Sequence, residues 1–87
     1  MSNELISTVQ FKTLAEAGAI NHAAARGTMG GFVLVVKVGM SERTLAMTQQ
    51  RRPRVFVTLD GLASVIKRYG VRRFDVDMAG YEPKGLF

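Results

Sequence analysis

The sequence predicts a small α+β two-layer sandwich of order α-β-β-β-α-β, with two helices on one face of a mainly antiparallel sheet. Three observations carry this expectation. Two segments place apolar residues at helical spacing between a capping residue and a glycine stop. A valine-rich run, Phe32 to Val38, is apolar on both of its alternating faces. Glycine-rich turns, at residues 27–31 and at Gly39, divide the chain between the helices into short extended stretches.

Residues 54–78 are the most fully specified part of the chain. Thr58 offers a side-chain oxygen to the unpaired N–H groups of a first helical turn, and Asp60 adds negative charge where the helix dipole favours it. Leu59, Leu62, Val65, Ile66 and Tyr69 then form one apolar stripe. Gly70 suits the left-handed residue that ends a helix, and Val71 is placed to meet Ile66 in a Schellman closure. Beyond it Phe74, Val76 and Met78 alternate with Arg73, Asp75 and Asp77, as in a half-buried strand. The first helix is expected over Thr8 to Ala17. Ser7 and Gln10 have capping-box spacing, Ile6 and Phe11 can staple its start, Val9, Phe11, Leu14 and Ala15 form its apolar side, and Gly18 stops it.

Between the helices, Ile20 to Arg26 is read as a strand, because it is short for an independent helix and lies between glycines. The glycines at 27–31 make a hairpin turn into Phe32 to Val38, a central strand with Phe32, Leu34 and Val36 on one face and Val33 and Val35 on the other. Residues 39–42 turn again into Arg43 to Thr48, with Leu45 and Met47 opposite to Thr44, Ala46 and Thr48. Val55 to Val57 can resume as a short strand. Two helices cover one sheet face, so the second apolar face needs either the C-terminal tail, through Leu86 and Phe87, or a second copy of the protein. Residues 1–80 are expected to form the single domain and 81–87 a loosely held tail.

Eighty-seven residues support one hydrophobic core, and 47% hydrophobic composition is enough to build it. The absence of cysteine excludes disulfides and thiolate metal sites and fits a reducing cytoplasm. No basic region followed by an apolar run opens the chain, and no apolar run reaches the length of a membrane span, so a soluble cytoplasmic protein without membrane contact is expected. The net charge is +5. Its excess concentrates in Arg51, Arg52, Arg54, Lys67, Arg68, Arg72 and Arg73, against the single acid Asp60 in the same span. Such a cluster can hold phosphates or an acidic protein, whereas Lys67 and Arg68 also complement the end of their own helix and exposed cations promote solubility.

Motifs that carry chemistry are not evident. The glycines of GTMGG lead into a strand and lack the lysine and hydroxyl residue that a phosphate loop places before a helix. His22, the only histidine, has no metal-ligand companions. Asp75 and Asp77 at i and i+2 could present paired carboxylates, but Arg73 on the same face favours a charge ladder. No enzyme, cofactor, metal or small-molecule substrate is expected. Helix, three strands, helix is also the order of double-stranded RNA-binding domains, but the second helix here begins Leu59, Asp60, Gly61 without their basic run.

Three stretches carry a family resemblance: LISTVQFKTLAEAGAI at 5–20, GGFVLVVKVGM followed by ERTL at 30–45, and RPRVFVTLDGLASVIKRYGVRRFDVD at 52–77. The chain resembles the small ParC-family plasmid partition-associated proteins of plasmids and integrative elements. The resemblance covers all but the tail. It implies a role near plasmid or mobile-element maintenance and brings no catalytic residue or ligand with it. Two functional expectations follow. One is an accessory that contacts DNA or a DNA-bound partition protein through a basic face bearing the seven residues above. The other is an interaction module that forms a homodimer through the open sheet face at Val33, Val35 and Leu45 or Thr44.

Overall fold

Local signals set both helices. In the computed structural model, which describes residues 4–47 and 51–82, helix α1 spans Thr8–Glu16 and helix α2 spans Leu59–Arg68. The Ser7 side chain accepts from the Gln10 N–H at 3.1 Å, while the Ser7 N–H donates to Gln10 Oε1 at 2.9 Å, completing the capping box. Thr58 Oγ1 accepts from the Gly61 N–H at 3.0 Å. At the far end of α2 the Val71 N–H donates to the Ile66 carbonyl and the Gly70 N–H to that of Lys67, with Gly70 at φ +90°, which is the Schellman closure the sequence predicts.

The strands are β1 (Glu4–Ile6), β2 (His22–Thr28), β3 (Gly31–Val38), β4 (Ser41–Leu45), β5 (Val55–Phe56) and β6 (Asp75–Asp77). The sheet runs β1-β4-β3-β2-β6, and β5 pairs with the first half of β3 on the side where β4 pairs with the second half. β2, β3 and β4 form the expected antiparallel meander. The outer strands β1 and β6 are parallel to β4 and β2. The expected order thus gains a strand before α1, and Val55–Phe56 adopts the short strand that its sequence allows. The turn between β2 and β3 is narrower than the glycine cluster implies: Thr28 pairs with Gly31, leaving Met29 and Gly30 as the loop, with Gly30 at φ +86°.

Both helices lie on the face to which Phe32, Leu34 and Val36 point. There Phe11 from α1 and Leu62 and Ile66 from α2 join them, with Ile6, Ala23, Ala25, Leu45 and Phe56, in one buried core. Phe11 meets Tyr69 edge-on at 5.5 Å, tying the two helices together. Full burial of a side chain such as Phe11, Leu34 or Ile66 contributes roughly 1.5–3 kcal/mol each. Val9, expected on the apolar side of α1, is instead 73% exposed. Two residues from Phe11 at about 100° per residue, it stands roughly 200° round the helix and so faces away from the sheet that Phe11 meets.

The domain extends past the expected boundary at residue 80. Tyr81 stacks on Phe32 at 4.7 Å, the Gly30 N–H donates to the Glu82 carbonyl at 2.7 Å, and the Glu82 N–H donates to that of Thr28 at 3.1 Å. Tyr81 and Glu82 are therefore held, which corrects the loose tail at those two residues. Leu86 and Phe87 lie outside the described residues. The close crossing requires Gly27: a Cβ there would sit 2.7 Å from Tyr81 Cβ and 2.8 Å from its backbone nitrogen. Gly27→Ala is expected to destabilise the fold by about 1–3 kcal/mol through overpacking. Urea unfolding of the variant checks this, and an unchanged midpoint contradicts the crossing.

Candidate nucleic-acid interface

The seven candidate cations fall into two groups. Arg51, Arg52 and Arg54 lead into β5. The Arg54 N–H donates to the Leu45 carbonyl and the Met47 N–H to that of Arg52, so this segment is laddered to the end of β4. Lys67 and Arg68 form the last turn of α2, and Arg72 and Arg73 stand between its glycine stop and β6. Because β5 neighbours β3 and β6 neighbours β2, the strand that Arg51, Arg52 and Arg54 enter and the strand that Arg72 and Arg73 enter are three strand spacings apart, about 14 Å at ~4.8 Å per strand. They form two basic rims rather than the single expected face.

The groups also differ in how free their charges are. Arg54 is half-buried, with its guanidinium 4.5 Å from the centre of the Phe56 ring, so it covers an edge of the core. Lys67, Arg68, Arg72 and Arg73 are exposed. The ion pairs among the described residues are His22–Asp75 at 3.1 Å, Arg26–Glu42 at 3.7 Å and Arg43–Glu4 at 3.3 Å, and none of them uses any of the seven. Glu4, Glu42 and Asp75 thus contact other basic side chains, and the seven candidate cations stand outside these pairs. Arg72 and Arg73 also border a cleft of about 370 Å³ between the ends of the two helices, which Asn21 and His22 share. Positive φ at Gly70 turns the chain back so that Arg72 and Arg73 follow directly on the helix end bearing Lys67 and Arg68.

The charge ladder expected on β6 takes another form. Asp75 pairs with His22 and not with Arg73, because the parallel register sets Ala24 opposite Asp75 and brings His22 diagonally alongside. Asp77 Oδ1 accepts from the Ala79 N–H at 3.0 Å. Nothing local to His22 signals this partner, since the contact depends on β6 pairing with β2. No cluster of three or more metal-ligating His, Cys, Asp or Glu occurs among the described residues, and none of their helices is long and apolar enough to cross a membrane.

The expected dimer face needs a correction. The register Thr44↔Val35 puts Thr44, not Leu45, on the side of Val33 and Val35. Leu45 is 1% exposed in the helix-side core and cannot meet a partner. On the open side Val35 is itself 4% exposed, since the Arg26–Glu42 pair reaches from β2 to β4 across β3 at its level. What remains accessible is Val33, half-buried, with Val55 opposite it, and Leu5 opposite Thr44 on the outer strand.

A small α+β protein with free cations at the end of its second helix is the class that fold and charge define. The chain belongs to the ParC-like family, whose model matches residues 6–85. No curated protein and no solved structure matches it.

Since Arg72 and Arg73 are exposed and outside the ion pairs of the described residues, replacing either with Gln is expected to change the unfolding free energy by no more than about 0.5 kcal/mol. Leu45→Ala is expected to cost about 2–5 kcal/mol. Urea unfolding of the three variants checks both statements.

Proposed function

We propose that the protein is a non-enzymatic accessory of plasmid or mobile-element maintenance that contacts DNA phosphates through Lys67, Arg68, Arg72 and Arg73. Membership of the ParC-like family supports the setting. The observation that carries the contact is the concentration of four exposed cations within residues 67–73, outside every ion pair of the described residues. Neighbouring arginines suit phosphate oxygens, because each guanidinium offers several donors in a fixed plane and is weakly hydrated. Such contacts are largely indifferent to sequence, since phosphates position a protein on a duplex without identifying bases. Arg51 and Arg52, on the other rim, add long-range attraction. A DNA-bound partition protein with an acidic surface is the alternative ligand for the same rim.

Four phosphate contacts give a distinctive salt dependence. The slope of log affinity against log salt is expected near −3.6, which is about a hundredfold loss between 50 and 200 mM salt. Fluorescence anisotropy with a labelled duplex measures it. Replacing all four with Gln is expected to remove most of the slope, whereas Gln at Arg51, Arg52 and Arg54 reduces it less. An absence of binding at low salt, or binding insensitive to salt, refutes direct DNA contact.

Leu5 at 38% and Val55 at 45% exposure favour a second reading, in which the open sheet face pairs two copies. Light scattering distinguishes it: Leu5→Asp with Val55→Asp is expected to convert a dimer to a monomer, and a wild-type protein that is monomeric at high concentration removes this reading.

A further inference from the structure

The helix layer stops short of β6. Val76 lies opposite Ala25 on the helix side of the sheet, yet Ala25 is fully buried and Val76 is 42% exposed. All three residues of β6 are exposed, and its outer edge carries no strand among the described residues. Beside it, between α2 and the chain entering β6, opens a cleft of about 360 Å³ lined by Ala63, Ile66, Lys67, Val71, Arg72 and Phe74. An open strand edge offers unpaired main-chain groups, and natural sheets usually protect such edges. Here the edge is joined to an apolar recess, the combination by which added strands are bound: main-chain hydrogen bonds supply affinity and a pocket for alternate side chains supplies specificity.

We propose that the outer edge of β6 receives an extended segment of a partner protein as an added strand. One apolar residue of the segment enters the cleft beside Phe74 and Val76, and lysine or arginine at alternate positions faces Asp75 and Asp77. The register fixes this polarity. Asp75 and Asp77 lie with Ala24 and Arg26 on the open side, and Val76 lies on the helix side, so an added strand with period-two alternation meets carboxylates on one face and the recess on the other. Both carboxylates retain an oxygen for this: Asp75 uses Oδ2 for His22, and Asp77 uses Oδ1 for the Ala79 N–H. Lys67 and Arg72 edge the cleft itself, so the segment's cations belong on its open-side face alone.

A second copy of this chain is a poor occupant. Antiparallel pairing of two β6 strands about Val76 sets Asp75 against Asp77 of the other copy on both sides, and like charges directly opposite are destabilising. The other sheet edge, β1, is Glu4, Leu5 and Ile6, which include no cation and set Leu5 on the open side where Asp75 and Asp77 lie. Asp75 and Asp77 disfavour a polyanion along β6 itself, while Lys67 and Arg72 at the cleft are shared with the proposed DNA contact. The inference rests on the open edge and the carboxylates of β6, and it stands or falls separately from the DNA contact because the peptide test contains no nucleic acid.

The test uses the full chain, labelled with nitrogen-15, and two end-capped hexapeptides, one alternating lysine with valine and the other glutamate with valine. The lysine peptide is expected to perturb the amides of residues 74–78 together with Ala63 and Ile66, and to bind at least tenfold more tightly than the glutamate peptide. The double variant Asp75→Lys, Asp77→Lys is expected to reverse that preference. The wild-type comparison of the two peptides stands even if the variant does not fold. Equal binding of both peptides, no perturbation, perturbation confined to β1 or the surface around Val33, or changes at residues 74–78 that track protein concentration without peptide would each overturn the proposal.

Discussion

Phe32, Leu34 and Val36 project from the central strand into a layer made by Phe11, Leu62 and Ile66, and each of these side chains is almost wholly removed from water. That contact fixes where both helices lie. It also accounts for what the rest of the chain must do. Gly27 has to lack a side chain so that Tyr81 can cross it and close the end of the core on Phe32. Arg54 caps Phe56, which pairs with Phe32 across β5 and β3. No helix of the described residues covers the open side, and the Arg26–Glu42 pair over Val35 limits the apolar area left there. A pair this exposed adds little stability by itself, so its consequence is cover rather than Coulombic energy.

Charge follows the same division. Among the described residues Asp75 contacts His22 and Glu4 contacts Arg43, while Lys67, Arg68, Arg72 and Arg73 take part in no ion pair. The end of α2 is thus a place where favourable interaction with the helix dipole and availability to an outside anion coincide. Solvation allows both, because exposed arginines need no internal partner. β6 presents the opposite sign a few residues later, with Asp75 and Asp77 on the open face. One edge of the molecule therefore carries adjoining surfaces suited to ligands of different charge.

Much of this was legible in the sequence, and the reasons are particular. Ser7 with Gln10, Thr58, and Gly70 with Val71 read correctly because capping is chemistry between near neighbours. The alternation along β3 read correctly because period two is local. The strand at 75–77 was also read from its alternation, but β1 and both parallel pairings were less accessible: Glu4–Ile6 has no pattern of its own and becomes a strand only through β4. Leu45 shows the same limit more sharply. Alternation separates Leu45 from Thr44 but does not say which of them faces the helices; that depends on the register Thr44↔Val35. The basic residues were identifiable one by one, but their division between two rims follows from strand order, which lies in no single segment. Tyr81 was missed because its partner, Phe32, is distant in the chain.

A core centred on β3 with β6 as an uncovered margin makes a direct statement about local stability. Amides buried in a well-packed strand exchange through global unfolding, whereas an exposed edge strand opens by itself. Hydrogen exchange followed residue by residue under native conditions measures both. The amides of Leu34, Val35 and Val36 are expected to be protected to the full unfolding free energy, with those of Asp75, Val76 and Asp77 exchanging far faster by local opening. Equal protection of β6 and β3 would contradict the one-sided core and the uncovered edge together.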